Sequence, residues 1–218
     1  MSGLTITTPP SIEPLSAAET KSYLKIDDSV DSTLITRLIE ASRVWVENYT
    51  NRTLINTVYK LSLDSVGYQD VPLKEGTYTG AYKVPYLDYI ELPRSPVSAV
   101  ASVKYFSDDN TESTWATTNY YVDTAREPAR IVLRDGGTWP TSLRNANGIE
   151  VNYTAGYGAT ATDVPEAIRV AMLEYITFLY EHRGDDEGRQ LQPSPMLSSL
   201  LQPYVIMRYG KSAFGGGY

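Results

Sequence analysis

Residues 31–63 read DSTLITRLIEASRVWVENYTNRTLINTVYKLSL, and the spacing of their apolar positions changes part-way along. From Asp31 to Asn51, the residues Leu34, Ile35, Leu38, Ile39, Ala41, Trp45, Val46 and Tyr49 recur at helical spacing and form one stripe. Asp31 or Ser29 stands where an N-cap belongs. From Leu54 to Leu63 the period drops to two. Ile55, Thr57, Tyr59, Leu61 and Leu63 then share a face, which predicts a half-buried strand. The boundary between the two grammars falls at Thr53.

Working outward, Ser16 to Ile26 predicts a short helix opened by an S-x-x-E capping box of Ser16 and Glu19. Downstream, Val66 to Tyr82 reads as a long loop or loose hairpin. Strands are expected at Tyr86 to Leu92, Val97 to Phe106, Tyr120 to Asp123, Arg130 to Leu133 and Gly148 to Tyr153, with Gly, Pro, Asn and Asp turn clusters between them. Helical spacing returns at Val164 to Arg183, with Pro165 in the first turn and Gly184 past the end. Pro193 and Pro195 lead into a last apolar segment, Met196 to Met207.

This order predicts an α+β fold: a small helical bundle from the N- and C-terminal helices, an inserted antiparallel β-sandwich or barrel-like domain, and an extended C-terminal arm. The expected boundaries are 1–15 for an N-terminal extension, 16–53 with 159–190 for the helical core, 54–158 for the β domain and 191–218 for the arm. Leu34, Leu38, Trp45 and Tyr49 are expected to pack against Ile168, Met172, Tyr175 and Leu179, since a lone amphipathic helix is marginal in water.

Composition narrows the chemistry. The chain has 218 residues and a formal net charge of −7, so attraction to nucleic-acid phosphate over the whole surface is disfavoured. It contains no cysteine, which removes disulfides, thiol catalysis and thiolate metal sites. The single His182 removes His-pair zinc helices, and its place at a helix end suits the dipole better than a catalytic triad. No apolar run approaches the roughly 20 residues that span a bilayer, and Met1 to Pro14 lacks the marks of a signal peptide. Tyrosine is abundant, 18 against 3 Phe, as suits half-buried strand faces and interfaces.

The candidate motifs for site chemistry are weak. The pairs Asp27/Asp28, Asp108/Asp109 and Asp185/Asp186 fall in turns, where Asp closes turns and caps helices. A glycosidase pair drawn from distant positions stays open as an alternative. Ala155-Gly156-Tyr157-Gly158-Ala159 lacks the spacing of a phosphate loop. Asp27 to Leu38 fails the EF-hand pattern, with Ser32 and Leu38 where Gly and Glu are required. The tail is the strongest lead. Leu197, Leu200, Leu201, Tyr204, Val205 and Ile206 are apolar, and after Glu187 the only charged residues are Arg189, Arg208 and Lys211. Such a segment either covers the protein's own core or docks on another chain.

Several stretches carry a resemblance. Ile26-Asp27-Asp28, Leu38-Ile39-Glu40-Ala41-Ser42-Arg43 and Val46-Glu47-Asn48-Tyr49-Thr50-Asn51-Arg52 come first, the last three standing for a T-G-R helix end. Ile90-Glu91-Leu92-Pro93-Arg94-Ser95-Pro96-Val97, Trp139-Pro140, Val151 to Gly158 and Val164 to Arg169 follow. Leu200-Leu201-Gln202-Pro203-Tyr204 closes the series, with Val205 where a basic residue is usual. In this order they resemble the head–tail connector proteins of long-tailed bacteriophages. The resemblance implies a structural virion protein and no enzyme or cofactor. It implies a ring, generally of twelve copies, docked on the portal protein, assembled in the host cytoplasm and placed at the portal vertex or neck. The ring would extend the DNA channel, pass DNA without specific binding and seat the next neck or tail protein; no membrane is involved. The arm carrying Leu197, Leu200, Leu201, Tyr204, Val205, Ile206 and Arg208 would bind the portal. The alternatives are another neck, tail or baseplate module, or a polysaccharide hydrolase.

Overall fold

The computed structural model describes residues 2–26, 31–66, 68–72, 81–85, 89–182 and 195–206. The chain divides into two compact units, one of residues 1–9 and 56–156, the other of residues 10–55 and 157–218.

The helical unit contains α1 (Ala17–Leu24), α2 (Ser32–Thr50), α3 (Glu166–Glu181) and α4 (Pro195–Leu201). Ser16 caps α1, its Oγ accepting from the Glu19 amide at 3.1 Å. The Glu19 carboxylate takes Arg169 at 2.6 Å, a partner on α3 that the local motif does not show. Asp31 precedes α2 in the left-handed region (φ 53°) and makes no side-chain cap. Its carboxylate accepts from the Tyr180 hydroxyl at 3.1 Å instead. Ser29 lies outside the described residues.

The core of this unit gathers Leu15, Ile35, Ile39, Val46, Leu54, Ile168, Met172, Ile176, Leu197 and Leu201, among others. Burying each such side chain contributes about 1.5–3 kcal/mol before ordering costs. Ile168 and Met172 are each 0% exposed. On α2 the centre of the stripe is rotated by one position. Ile35, Ile39, Ser42, Arg43, Val46, Glu47 and Thr50 are buried, while Leu34, Leu38 and Trp45 are half-buried and Tyr49 is exposed. On α3, Tyr175 and Leu179 are likewise half-buried. The rotation has a polar cause: every buried polar side chain on α2 has a hydrogen-bond partner. Ser42 Oγ donates to the Met172 carbonyl at 3.2 Å, and Arg43 pairs with Glu13 at 2.7 Å and Glu47 at 3.2 Å. Glu47 in turn accepts from the Leu54 amide at 2.9 Å, and Thr50 Oγ1 donates to the Val46 carbonyl at 2.7 Å. Satisfied polar groups tolerate burial that unsatisfied ones do not.

The β unit holds a five-stranded antiparallel sheet. Its strands are β1 (Ser2–Thr8), β2 (Thr57–Leu63), β6 (Val97–Phe106), β7 (Glu112–Thr114) and β10 (Ile149–Ala155), in the order β1-β2-β10-β6-β7. A three-stranded sheet follows the order β5-β9-β8, from β5 (Tyr89–Glu91), β8 (Tyr120–Asp123) and β9 (Arg130–Leu133). The backbones of β3 (Tyr68–Pro72) and β4 (Ala81–Pro85) pair antiparallel. They fall in and just after the stretch read as a loose hairpin, much of which lies outside the described residues. Tyr59, Leu61, Val103, Val151 and Tyr153 of the large sheet share one apolar cluster with Ile90, Tyr120 and Ile131 of the smaller one. The large sheet is open, with β1 and β7 as its edges, so no closed barrel forms among the described residues.

Three boundaries differ from the sequence reading. Residues 2–8 are strand β1, paired with β2, and not a free extension. Leu54 and Ile55 belong to the helical unit, where they are 0% and 1% exposed. Residues 195–206 pack into that same unit through Leu197 and Leu201.

Candidate assembly surfaces

The end of α2 and the end of the described chain meet. Asn51 follows α2 in the left-handed region (φ 56°), a conformation Gly adopts freely and Asn better than most other residues. From there the chain turns back against the segment after α4. The Ile206 amide donates to the Thr50 carbonyl at 3.0 Å, and Asn51 Nδ2 donates to the Ile206 carbonyl at 3.3 Å. Arg52 Nε donates to the Tyr204 carbonyl at 2.6 Å, and the Arg52 guanidinium lies 5.8 Å from the centre of the Tyr157 ring. Thus Thr50-Asn51-Arg52 and Leu200 to Tyr204, far apart in sequence, form one junction.

This junction divides the expected portal-binding arm. Leu197, Leu201 and Ile206 are 2%, 0% and 8% exposed and cannot reach a partner as placed. Leu200, Tyr204 and Val205 are half-buried and retain an outward side. Arg208 lies outside the described residues. The apolar content that suggested a detachable arm is therefore in part core, because Leu197 and Leu201, one helical turn apart on α4, face inward together.

A second surface feature comes from the rings expected at the centre of the bundle. Tyr49 stacks on Trp45 at 5.3 Å, Trp45 on Tyr175 at 4.4 Å, Tyr175 on Phe178 at 6.3 Å, and Phe178 meets His182 at 4.7 Å. The rings run as a ladder along the rim of the α2–α3 seam, half-buried except for the exposed Tyr49. Burial pushes the Tyr175 hydroxyl's pKa above its usual range. His182 closes α3: its amide donates to the Phe178 carbonyl and its Nδ1 lies 2.8 Å from the same oxygen. Across α1 and α3, the Tyr23 hydroxyl donates to Glu174 at 2.5 Å, and that bond, aided by burial and the carboxylate charge, pushes its pKa up to about 12.

Among the described residues, no cluster of three or more His, Asp or Glu could hold a metal ion. A cleft of about 370 Å³ in the β unit is lined by residues 64–66 and 140–145. Its charged side chains are Asp64 and Arg144, so it brings one carboxylate where glycoside hydrolysis uses two.

A family model, that of the phage gp6-like head-tail connector protein, matches residues 16–127. The chain belongs to the phage gp6-like head–tail connector family. Solved structures extend the likeness over nearly the whole length. A chain in the neck of an empty gene transfer agent particle, computed with C6 symmetry, matches with a TM-score of 0.71 at 21% identity, over 94% of this chain and 96% of that one. A chain in the virion of a native gene transfer agent particle matches with a TM-score of 0.70 at 19% identity, over 94% and 96%. One in the neck of a native particle, computed with C12 symmetry, matches with a TM-score of 0.64 at 21% identity, over 95% and 96%. At these identities the likeness establishes the fold. A search of curated proteins by sequence finds no match. Family membership makes the chain a structural connector component, and the matched residues cover α1, α2 with its end at Thr50-Asn51-Arg52, and strands β2 to β8.

The residues of the junction were only partly visible in sequence. Asn51 and Arg52 stand in a family-like motif, but nothing local marks their partners at Tyr204 and Ile206. The single available signal is the left-handed preference of Asn after a long helix.

Proposed function

We propose that this connector-family chain is one subunit of a ring in the neck of a virion, docked on the portal. There it extends the DNA channel and seats the next neck or tail protein. The observation that carries the reading is the fold: 95% of the chain matches a neck component determined with C12 symmetry. The net charge of −7 supports a channel role, since an acidic wall repels DNA phosphate and lets the duplex slide where basic contacts would hold it. The absence of cysteine and the single histidine fit a part that assembles and performs no chemistry.

Portal binding falls to the outward side of the C-terminal segment. Leu200, Tyr204 and Val205 supply its contact face, and the chain after Ile206, which carries Arg208 and Lys211, supplies its charge. The junction at Asn51 and Arg52 holds Tyr204 and Ile206 on the helical unit, beside that contact face. The test is electron microscopy and mass measurement of the purified protein mixed with portal-bearing capsids. A ring of this protein at the portal vertex is the expected result. Attachment elsewhere on the virion, or none to the portal, overturns the reading.

A further inference from the structure

We propose that neighbouring copies join by sheet extension, with β1 of one copy adding to the open stretch of β6 in the next. The proposal rests on the ring reading above and on the two edges of the five-stranded sheet.

One edge is β1, Ser2–Thr8, with sequence SGLTITT. It pairs with β2 from Ser2↔Leu63 to Thr8↔Val58, and no strand of the described residues pairs with its other side. It carries no charge and no proline, and Ile6 is 58% exposed. The other edge is incomplete. β6 runs for 10 residues, Val97–Phe106, but β7 covers only Lys104, Tyr105 and Phe106. One more bond, from the Trp115 amide to the Val103 carbonyl at 2.8 Å, extends that cover by a residue. The outer side of Val97 to Ser102 is unpaired by any described strand. Its sequence, VSAVAS, is again uncharged, and Ser98, Ala99 and Ala101 are exposed.

Unpaired strand edges offer rows of backbone donors and acceptors, and proteins that must not associate blunt them with Lys, Pro or inward charges. These two stretches have none of those residues. Their one guard is a set of β-bulges, between Ile6 and Thr8 in β1 and at the β6 residues opposite Asn152 to Ala155, which limits the added ladder to a short one. The directions agree. β1, β10 and β7 run one way and β2 and β6 the other, so a β1 placed on β6 in line with β7 pairs antiparallel. Because the edges lie on opposite sides of one sheet and differ from each other, the contact is head-to-tail. Such a contact repeats from copy to copy and closes into a ring where the rotation between copies permits it.

The chain has no cysteine, so the introduced thiols are the only ones it carries. Rings of the Ile6→Cys, Ala99→Cys double variant, assembled on portal-bearing capsids, are treated with a short bis-maleimide and run under denaturing conditions. The expected result is a ladder of covalent multimers beyond the dimer, absent from either single variant. In parallel, Ile6→Lys is expected to keep its melting temperature and lose ring formation at least tenfold. Rings that form without cross-links, and that tolerate Ile6→Lys, overturn the edge contact while leaving the connector reading intact. Failure of the unsubstituted protein to form rings on portal-bearing capsids overturns both.

Discussion

Arg52 Nε holds the carbonyl of Tyr204 at 2.6 Å, a bond that spans 152 positions of sequence. It ties the end of the first long helix to the last described turn of the chain. The donor is buried and charged, so deleting it leaves a carbonyl short of a partner and removes the ring contact with Tyr157. Arg52→Ala should cost about 1–3 kcal/mol in urea unfolding. Amide exchange at residues 197–206 should quicken more than at Ile168 to Ile176. Equal quickening in both places would show that the bond holds the whole unit and not the segment.

The rotated stripe on α2 makes a contrast within one helix. Ile39→Ala should cost about 2–5 kcal/mol, as a fully enclosed side chain does. Tyr49→Ala should cost less than about 1 kcal/mol, as surface changes usually do. Ile39 is 2% exposed and Tyr49 36%. A reversal of that order in thermal or urea melts would restore Leu34, Leu38, Trp45 and Tyr49 as the central stripe.

Two truncations separate core from contact in the C-terminal segment. Ending the chain at Gln190 removes Leu197 and Leu201, each worth about 2–5 kcal/mol when deleted from a packed site, and should unfold or badly weaken the helical unit. Ending it at Ile206 removes neither and should leave the melting temperature within about 2–4 °C of the parent. That shorter truncation should still lose attachment to portal-bearing capsids. Full attachment by the protein ending at Ile206 would confine portal binding to Leu200, Tyr204 and Val205.

Acid should weaken the protein in a stated window. The Thr160 amide, and then its hydroxyl, hold the Asp163 carboxylate below its usual pKa. The Arg130 guanidinium does the same for Asp123, and the Thr111 amide for Asp109. A depressed carboxylate binds fewer protons folded than unfolded, so its stabilisation is present above the unfolded value, about pH 4, and is lost as pH falls through the folded value. Asp163→Asn should therefore flatten the loss of melting temperature as pH falls below about 4. A steeper loss would contradict the assignment. Gly158→Ala offers a second probe, since a Cβ there would overlap the Asp163 carboxylate and displace it from Thr160.

The long helices follow from residue spacing alone, because their apolar period is unbroken over several turns, and β6, β8 and β9 stand out as short apolar runs between turn clusters. The buried face of α2 was less legible. Ser42, Arg43 and Glu47 look solvent-facing in sequence, and their burial depends on Met172, Glu13 and Leu54, which no local pattern connects to them. Strand β1 was missed because a Thr-rich stretch before Pro9-Pro10 has little apolar alternation, and its partner β2 lies more than fifty residues downstream. Strand β7 is only three residues long. For the assembly surfaces, the apolar content of the tail was plain, yet spacing alone could not say that Leu197 and Leu201 turn inward. The absence of cysteine, which excludes disulfides and thiol catalysis, was the easiest part to read, since a residue type missing from a sequence cannot be misplaced.

The β unit is not one continuous stretch of gene. Ile55 bridges Gly158, and the Tyr157 amide donates to the Leu54 carbonyl at 3.1 Å, so residues 56–156 leave and return at neighbouring points. That geometry invites exchange of the segment between related viruses by recombination, except for one strand. The first strand of the sheet is encoded ahead of both α1 and α2. A crossover that moves residues 56–156 alone joins a foreign sheet to a resident strand that never evolved beside it. Inheritance of this unit is therefore a two-piece event, and residues 2–8 and 57–63 are expected to travel, and to change, together.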